Sequence, residues 1–311
     1  MRGPLLALAG GVGGAKLALG LCHVLLPEEL VMVVNTGDDE EFYGLHVSPD
    51  LDTVMYTLAG LANPETGWGV RDDTFNALEM MGHYEPSPWF KLGDRDMATH
   101  IRRTQLLGRG KTLSQVTHLL CSSLGIKHNV VPMSDHRVRT IVETDEGKLP
   151  FQEYFVRRRC EPRVVGLGFD GLDKARPSPE FDAALGQATA ILFCPSNPFL
   201  SIAPILALPG VRERIAGFPG TRVAVSPIVG GQALRGPAAK ILEELGYQVS
   251  ALGAAGVYRG LCDIWVLDEA DRSLAEGVSA LGMRPAVTRT VMATDEDKVA
   301  LARYLCDLVS L

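Results

Sequence analysis

The start of the chain carries the pattern that most constrains its fold. An apolar run at residues 5–9 leads into four glycines within five positions, and a helical spacing of leucines follows from Leu17. This order predicts a buried strand, a tight turn and a helix, because glycine adopts positive φ and leaves no Cβ between the backbone and a ligand. The N–H groups at a helix start and the helix dipole favour an anion. The turn is therefore predicted to hold a phosphate or a nucleotide.

The glycine turn matches neither standard nucleotide-binding pattern. Lys16 stands where Gly-x-Gly-x-x-Gly needs its third glycine, and Leu17 stands where a P-loop needs Ser or Thr. An ordinary α/β turn is one alternative. An export signal is another, because Arg2 precedes the apolar run, although that run is short for the purpose. Lys16 is left open as a phosphate contact or an ordinary lysine of the first helical turn.

Composition narrows the class of protein. The chain has 311 residues and a net charge of −7, which argues against a nucleic-acid partner. No window approaches the roughly 20 apolar residues of a membrane span. The six cysteines are scattered without a Cys-x-x-Cys pair, and there is no His-Glu-x-x-His. We expect a cytoplasmic protein with reduced thiols and no zinc site.

Apolar runs of strand length alternate with helical patterns along most of the chain. Strands are predicted at 30–35, 164–167, 190–194, 223–227, 264–267 and 286–290. This rhythm predicts an α/β fold with a doubly wound, mainly parallel sheet in a single domain over 1–311. Residues 64–127 are predicted to form a helical insertion or cap. Residues 128–160 are predicted to form a small β excursion, with short strands at 130–132, 138–143 and 151–157.

Acidic residues follow the second strand and begin the next helix. Asp38 and Asp39 leave the carboxyl end of that strand, where ligands of open α/β sheets bind, so one of them is predicted to hold a metal or a hydroxyl. Ser48 and Pro49 predict a helix start, which puts Asp50 and Asp52 near the first turn. Dipole stabilisation explains one of these acids, and the second leaves room for a functional role.

Aromatic and basic residues of the middle segment suggest further contacts. Trp68, Trp89 and Phe90, close to Lys91, could hold a flat heterocycle or pack in the core. The triplet at 157–159, three arginines, suits a solvated strand end or a phosphate contact.

Several blocks occur in a fixed order along the chain. They are Gly10-Gly11-Val12-Gly13-Gly14-Ala15-Lys16, Val34-Asn35-Thr36-Gly37-Asp38-Asp39, Ser48-Pro49-Asp50-Leu51-Asp52-Thr53, Trp68-Gly69, Lys91-Leu92-Gly93-Asp94-Arg95-Asp96-Met97-Ala98-Thr99-His100, Val131-Pro132-Met133-Ser134-Asp135, Pro195-Ser196-Asn197-Pro198 and Val225-Ser226-Pro227-Ile228. With these blocks the chain resembles the 2-phospho-L-lactate transferase family of coenzyme F420 biosynthesis.

The resemblance implies a Rossmann-like fold with a helical addition, and a cytoplasmic, Mg²⁺-dependent homodimer. Its activity would move a phospho-acid from a guanosine diphosphate adduct to the 5′-hydroxyl of the deazaflavin Fo, releasing GMP. The acid stays open between phospholactate, phosphoenolpyruvate and 3-phosphoglycerate.

The resemblance also assigns roles to residues. Asp38 would hold the metal, and Asp52 and Lys91 would bind Fo with Asp50 beside them. The glycine turn and the loop after a later strand would face the guanosine nucleotide, through Gly10, Gly11, Gly13, Gly14, Ser196, Asn197 and Pro198. A carboxylate could accept the proton of the Fo hydroxyl or only position it, and Asp50 and Asp52 are both candidates.

Two other functions compete with the transferase. A non-catalytic regulator of the gluconeogenesis-factor type would bind a nucleotide sugar on a similar scaffold, but the Asp-Leu-Asp-Thr and Lys-Leu-Gly-Asp-Arg-Asp blocks favour the transferase. A nicotinamide-dependent oxidoreductase is disfavoured by the missing third glycine. It is also disfavoured because the second strand ends in Asn35-Thr36-Gly37, without an acid for the ribose.

Overall fold

The computed structural model describes residues 3–84, 88–233 and 236–309. Its strands are β1 (Leu5–Ala9), β2 (Leu30–Val34), β3 (Glu40–Phe42), β4 (Leu45–Val47), β5 (Asn129–Pro132), β6 (Arg139–Thr144), β7 (Gly147–Pro150), β8 (Val164–Asp170), β9 (Ala190–Phe193), β10 (Thr221–Val225), β11 (Ile228–Val229), β12 (Gln232–Ala233), β13 (Ile264–Asp268) and β14 (Arg284–Thr288).

The α-helices lie between and after these strands. They are α1 (Gly11–Val24), α2 (Pro49–Leu58), α3 (Asn76–Met81), α4 (Asp94–Gly108), α5 (Leu113–Ser123), α6 (Pro179–Gln187), α7 (Ala203–Ala207), α8 (Val211–Ala216), α9 (Ala238–Glu244), α10 (Ala251–Val257), α11 (Ala275–Ala280) and α12 (Asp295–Leu308). Short 3-10 segments occupy Pro27–Glu29 and Glu269–Leu274, and π-helical turns occupy Glu153–Arg157 and Pro198–Ile202.

The central sheet has seven parallel strands in the order β14-β13-β10-β9-β1-β2-β5. The apolar run at residues 5–9 is its central strand, with Leu5 aligned to Leu30 on one side and to Ala190 on the other. Alternate side chains of β1 enter two different cores, Leu6 and Leu8 on one face and the remaining three on the other. Helices cover both faces, so the predicted doubly wound, Rossmann-like α/β fold is confirmed. In the sheet, β2 lies on one side of β1, and β9, which comes later in the chain, lies on the other side. This reversal of the strand order opens a crevice at the carboxyl ends of these strands.

Residues 64–127 were predicted to form a helical insertion or cap. In the part of this range that the structure describes, α3, α4 and α5 are the regular elements, beside one isolated bridge that joins Ala62 to Val70. Thr112 and Gln115 form a capping box at the start of α5. This segment lies beyond the short hairpin of β3 and β4, against which α4 packs.

The predicted β excursion at 128–160 has different limits in the structure. Its antiparallel sheet, ordered β7-β6-β8, spans residues 139–170, whereas β5 joins the central sheet parallel to β2. The strand predicted at 164–167 is therefore part of the antiparallel sheet. A short run such as Asn129–Pro132 does not indicate whether its neighbouring strand is parallel or antiparallel. This explains why β5 and the strand predicted at 164–167 were each assigned to the wrong sheet.

The prediction of a strand at residues 151–157 is wrong. The segment is helical, and Phe151 stacks on Phe155 with ring centroids 5.2 Å apart. Aromatic and β-branched residues favour strands on average, but the spacing of four between these two rings brings them together only on a helix. No helix among the described residues combines the length and the apolar character that crossing a membrane requires.

Gly20 lies where α1 crosses α12, and the crossing leaves no room for a side chain. A Cβ on Gly20 would overlap the carbonyl oxygen of Lys298. A Cβ added to Gly256, in α10, would lie in open space. Gly20→Ala is therefore expected to destabilise the protein by about 1–3 kcal/mol. Gly256→Ala should be neutral or stabilising by up to about 1 kcal/mol.

Urea denaturation of the two alanine variants measures this difference. Equal stability of the Gly20 and Gly256 variants would show that the two helices do not cross as closely as described.

Candidate functional site

A cavity of about 1030 Å³ opens at the carboxyl ends of the central strands. Nine of the predicted site residues line it: Gly10, Gly11, Gly13, Asp38, Asp50, Asp52, Lys91, Ser196 and Asn197. Gly14 and Pro198 are buried and do not belong to the cavity wall. Residues that the sequence placed more than 180 positions apart thus share one cleft.

Two N–H groups of the glycine turn are bound within the protein. Gly10 donates to Oγ of Ser196 at 3.1 Å, and Gly11 donates to Oδ1 of Asp50 at 2.8 Å. The N–H groups of Val12 and Gly13 lie in the first turn of α1, where no intrahelical acceptor exists. Both residues line the cavity. The N–H groups suited to an anion are therefore those of Val12 and Gly13, rather than those of the first two glycines.

The glycines are also required by packing. A Cβ on Gly13 would overlap the carbonyl oxygen of Pro195, and one on Gly14 would come within 2.7 Å of Oγ of Ser196. Gly11 has φ +62°, in the left-handed region that favours glycine. The glycine pattern thus lets the loops after β1 and β9 approach each other closely.

Asp50 connects the glycine turn to the end of β2. Its carboxylate accepts the Gly11 N–H and, at 3.0 Å, the amide Nδ2 of Asn35. Asn35 in turn accepts the N–H of Gly37 at 2.8 Å. Burial, with a smaller effect from the charge of Asp39, raises the pKa of Asp50 to about 6. In the sequence, Asn35 was noted only because it stands where a nicotinamide-binding protein would have an acid. Its role as the hydrogen-bond partner of Asp50 was missed.

Asp38 and Asp39 are both buried, but they occupy different places. Asp39 lies behind the cavity wall, where Oδ2 accepts from Oγ of Ser48 at 2.8 Å and lies 3.0 Å from Nε2 of His46. Ser48 therefore uses its hydroxyl on Asp39 instead of capping α2. Asp38 lines the cavity, and its Oδ1 has no hydrogen-bond partner among the described residues. Burial, and then the charge of Asp50, raise the pKa of Asp38.

A buried carboxylate oxygen without a partner suits a divalent cation. The chemistry of Asp38 fits Mg²⁺, which prefers oxygen ligands and takes one or two carboxylates together with phosphate oxygens and water. Across residues 3–84, 88–233 and 236–309, no three His, Cys, Asp or Glu side chains converge on a metal position. A magnesium ion at Asp38 would thus depend on oxygens from a substrate.

Asp52 belongs to a buried polar network. It forms an ion pair with both terminal nitrogens of Arg103, which is 1% exposed. Nδ1 of His100 lies 3.7 Å from Asp52, and Nε2 lies 3.1 Å from Oδ1 of Asp96. Tyr56 donates to the same oxygen of Asp96 at 2.7 Å. The network fixes the Asp52 carboxylate at the cavity wall and offsets its charge.

Arg103, His100 and Tyr56 were not identified from the sequence. The spacing of four between Asp96 and His100, which puts both on one face of a helix, was the available signal. The partnership with Asp52 joins α2 to α4 across about 50 residues, and no local pattern reports such a contact.

Aromatic side chains line the end of the cavity at the helical segment. Trp89 and Phe90 pack with Phe42, whose ring stacks on Phe90 and meets Trp89 edge-on at 5.3 Å. Trp68 is 50% exposed and Phe155 is 38% exposed, and both line the cavity. Trp89 and Phe90 are partly buried and also line the cavity, so both alternatives stay open for them, whereas Trp68 is half-exposed. Phe155 was missed because its segment was predicted as a strand.

The far side of the cavity comes from the end of the chain. Residues 290–293 line it, and Nζ of Lys16 donates to the carbonyl of Met292 at 2.8 Å. Lys16 thus ties α1 to this segment and also borders the cavity. The segment after β14 gave no sequence signal.

Comparison with known proteins gives concordant matches. The profile of the family described as 2-phospho-L-lactate transferase CofD matches residues 5–300. A protein named phosphoenolpyruvate transferase from Streptomyces griseus is 44% identical over 310 residues, covering 98% of each chain. A 2-phospho-L-lactate transferase from Methanosarcina mazei is 40% identical over 301 residues, covering 97% of this chain and 99% of the relative. A crystal structure of a UPF0052 family member from Bacillus halodurans aligns with a TM-score of 0.64 at 14% identity, covering 98% and 99% of the two chains, and shares the fold.

Asp38→Asn is expected to make the metal-free protein more stable than wild type at pH 8. Because the pKa of Asp38 is raised in the folded protein, its neutral carboxyl favours the folded state below the ordinary pKa of about 4. This contribution to stability is lost as the pH rises and the buried group ionises. Asparagine removes the buried charge at similar size. The gap between variant and wild type should therefore shrink toward pH 4.

Urea denaturation in a metal chelator at both pH values tests the effect of Asp38→Asn. Asp173→Asn, at an exposed position, is the matched control and should follow wild type. A variant that is less stable than wild type at pH 8 would contradict a net cost of burying this charge.

Proposed function

Because this chain belongs to the 2-phospho-L-lactate transferase CofD family, we propose that it transfers a phospho-acid from a guanosine diphosphate adduct to the 5′-hydroxyl of Fo, releasing GMP. As a member of this family it is a transferase of coenzyme F420 biosynthesis, and the alternative of a non-catalytic regulator is set aside. One observation carries the proposal. The first-turn N–H groups of Val12 and Gly13, the Asp38 oxygen without a described partner and the exposed Trp68 share one cavity.

The reaction forms a bond between the 5′ oxygen of Fo and the phosphorus that bears the acid. It breaks the bond from that phosphorus to the bridging oxygen, which leaves with GMP, and the hydroxyl proton goes to a base or to solvent. Such a transfer depends on alignment and on neutralising charge, because the transition state spreads charge over the phosphoryl oxygens. The cavity provides this alignment, because the N–H donors for phosphate lie on one wall and the proposed Fo site lies on the other.

Each wall has a distinct task in this proposal. Val12 and Gly13 donate to non-bridging phosphate oxygens. Oγ of Ser196 already accepts from Gly10, so its hydroxyl hydrogen is available to the nucleotide. Asn197 uses Oδ1 to accept from Phe199 at 2.9 Å, which leaves its amide nitrogen as a donor.

Asp38 would hold Mg²⁺, which when bound supplies positive charge next to the diphosphate. Gly14 and Pro198 would support the nucleotide wall from behind. The exposed Lys91 and the face of Trp68 would receive the deazaflavin, with Asp52 held in position by Arg103.

The surroundings favour Asp50 over Asp52 as the group that accepts the hydroxyl proton. Its pKa of about 6 makes it more basic than an ordinary aspartate, yet mostly ionised at neutral pH. Both carboxylate oxygens of Asp52 already accept hydrogen bonds from the buried Arg103. Asp52 is thus assigned to positioning Fo.

The phosphoenolpyruvate adduct is the first donor to test. Proteins named phosphoenolpyruvate transferase from Streptomyces are 43–44% identical to this chain, and the 2-phospho-L-lactate transferases of Methanosarcina are 38–40% identical. The homodimer and the cytoplasmic location implied by the resemblance stay predictions.

Mass spectrometry of the product from Fo and each guanosine diphosphate adduct tests the proposal. We expect a product with Mg²⁺ present, and Asp38→Asn should lower turnover by about 100-fold or more, since a metal ligand contributes several kcal/mol to the transition state. Asp173→Asn should keep wild-type turnover. Absence of product with all three adducts would contradict the transferase, and unchanged turnover of Asp38→Asn would remove Asp38 from the metal site.

Lys91→Ala should weaken Fo binding by about tenfold, because it removes one charged donor at the rim of the cavity. Fluorescence titration with Fo measures this change, and Lys111→Ala, exposed and outside the cavity, serves as the control. Asp52→Ala is a poorer probe, since leaving Arg103 buried and unpaired costs about 3–5 kcal/mol. Equal Fo affinities of the two lysine variants would exclude the assigned role of Lys91.

A further inference from the structure

We propose that Arg159 binds the carboxylate of the phospho-acid and thereby selects donors that carry an acid group. This assignment rests on the proposed function, which supplies the donor. It gives a binding residue to the carboxylate of the donor, for which the walls described above provide no partner. Four features of the segment around Arg159 support it.

Arg159 lies on a cavity wall that is fastened to the proposed metal site. The segment at 151–159 contributes Phe151, Gln152, Phe155, Val156 and Arg159 to the cavity. Nε2 of Gln152 donates to the backbone carbonyl of Asp38 at 2.9 Å, so this wall and the Asp38 loop are joined directly.

The three consecutive arginines differ in their partners. Arg157 pairs with Glu153 at 3.2 Å and lies over the Trp89 ring at 6.0 Å, and Arg158 pairs with Glu146. Arg159 forms no ion pair with any acidic residue in the portion of the chain that the structure describes. It is also the one member of the triplet that lines the cavity. Its charge is thus available to an anion inside the cleft.

The backbone at Arg159 is in the left-handed region. Arg159 has φ +49°, and it follows the π-helical turn at the position where helices usually place glycine. A side chain in this conformation costs on the order of 1 kcal/mol relative to glycine. Cys160 shares this conformation with φ +58°, but its side chain does not line the cavity, so at Arg159 alone the left-handed backbone coincides with a cation in the cleft.

The chemistry of the donor fits a guanidinium at this place. Arg157 brings the segment against Trp89, on the side where Fo is proposed to bind, whereas the nucleotide is assigned to the opposite wall. The phosphorus attacked by Fo carries the acid through an ester oxygen, so the carboxylate lies close to that phosphorus, between the nucleotide and Fo. The planar guanidinium can hold a carboxylate through two parallel hydrogen bonds.

Arg159→Gly separates this role from a structural one. The variant removes the cation and relieves the left-handed conformation, so its thermal stability should equal or exceed that of wild type. Its kcat/KM with the acid-bearing adduct should fall about 30-fold, as expected for loss of a charge-assisted hydrogen-bonded pair. Its kcat/KM with the ethyl ester of guanosine diphosphate, which lacks the carboxylate, and its inhibition by GDP should not change.

Two further variants complete the test. Arg159→Lys, which keeps the charge but not the two parallel donors, should show an intermediate loss and serves if the glycine variant does not fold. Arg158→Ala, outside the cavity, should behave as wild type. An equal loss with both donors, or no loss with either, would overturn the assignment. Wild-type enzyme that transfers neither group to Fo would instead contradict the proposed function, and this inference with it.

Discussion

The site depends on one inward-facing carboxylate. Asp50, in the first turn of α2, accepts hydrogen bonds from Gly11 after β1 and from Asn35 after β2, and so joins two loops at the open end of the sheet. Burial raises its pKa to about 6, and the two donors offset part of the cost of ionising it there. Glycines at the turn let Pro195 and Ser196 approach from the other side. Without these contacts, the three loops would not enclose one cleft.

The same arrangement explains why the site suits a cation. Asp38 lies near Asp50 and keeps one buried oxygen without a partner among the described residues. Two neighbouring buried carboxylates destabilise the folded protein at neutral pH unless a positive charge joins them. The buried cation Arg103 pairs with Asp52 rather than with Asp38 or Asp50. The protein thus accepts a local cost in stability at the position where we propose that a metal binds.

The sequence predicted features that are local or that strand ends bring together. The strand, turn and helix over Leu5–Val24 and the terminal helix Asp295–Leu308 were recognisable because their periodicity is long or their residues unusual. The acids at 38 and 50 were predictable because carboxyl ends of parallel strands share an edge. The direction of β5 and the network of Asp52 with Arg103 were not, since both depend on which distant segment is the neighbour. The cation at Arg159 was left undecided because its segment was taken for a strand.

We propose that one cleft holds the diphosphate on the first turn of α1 with a divalent cation on Asp38. A crystal structure with GDP and Mn²⁺, located by its anomalous scattering, measures this directly. We expect the Mn²⁺ peak at bonding distance from Asp38, and the phosphate oxygens on the N–H groups of Val12 and Gly13. A diphosphate bound elsewhere, or a peak coordinated without Asp38 while GDP occupies the cleft, would contradict the account.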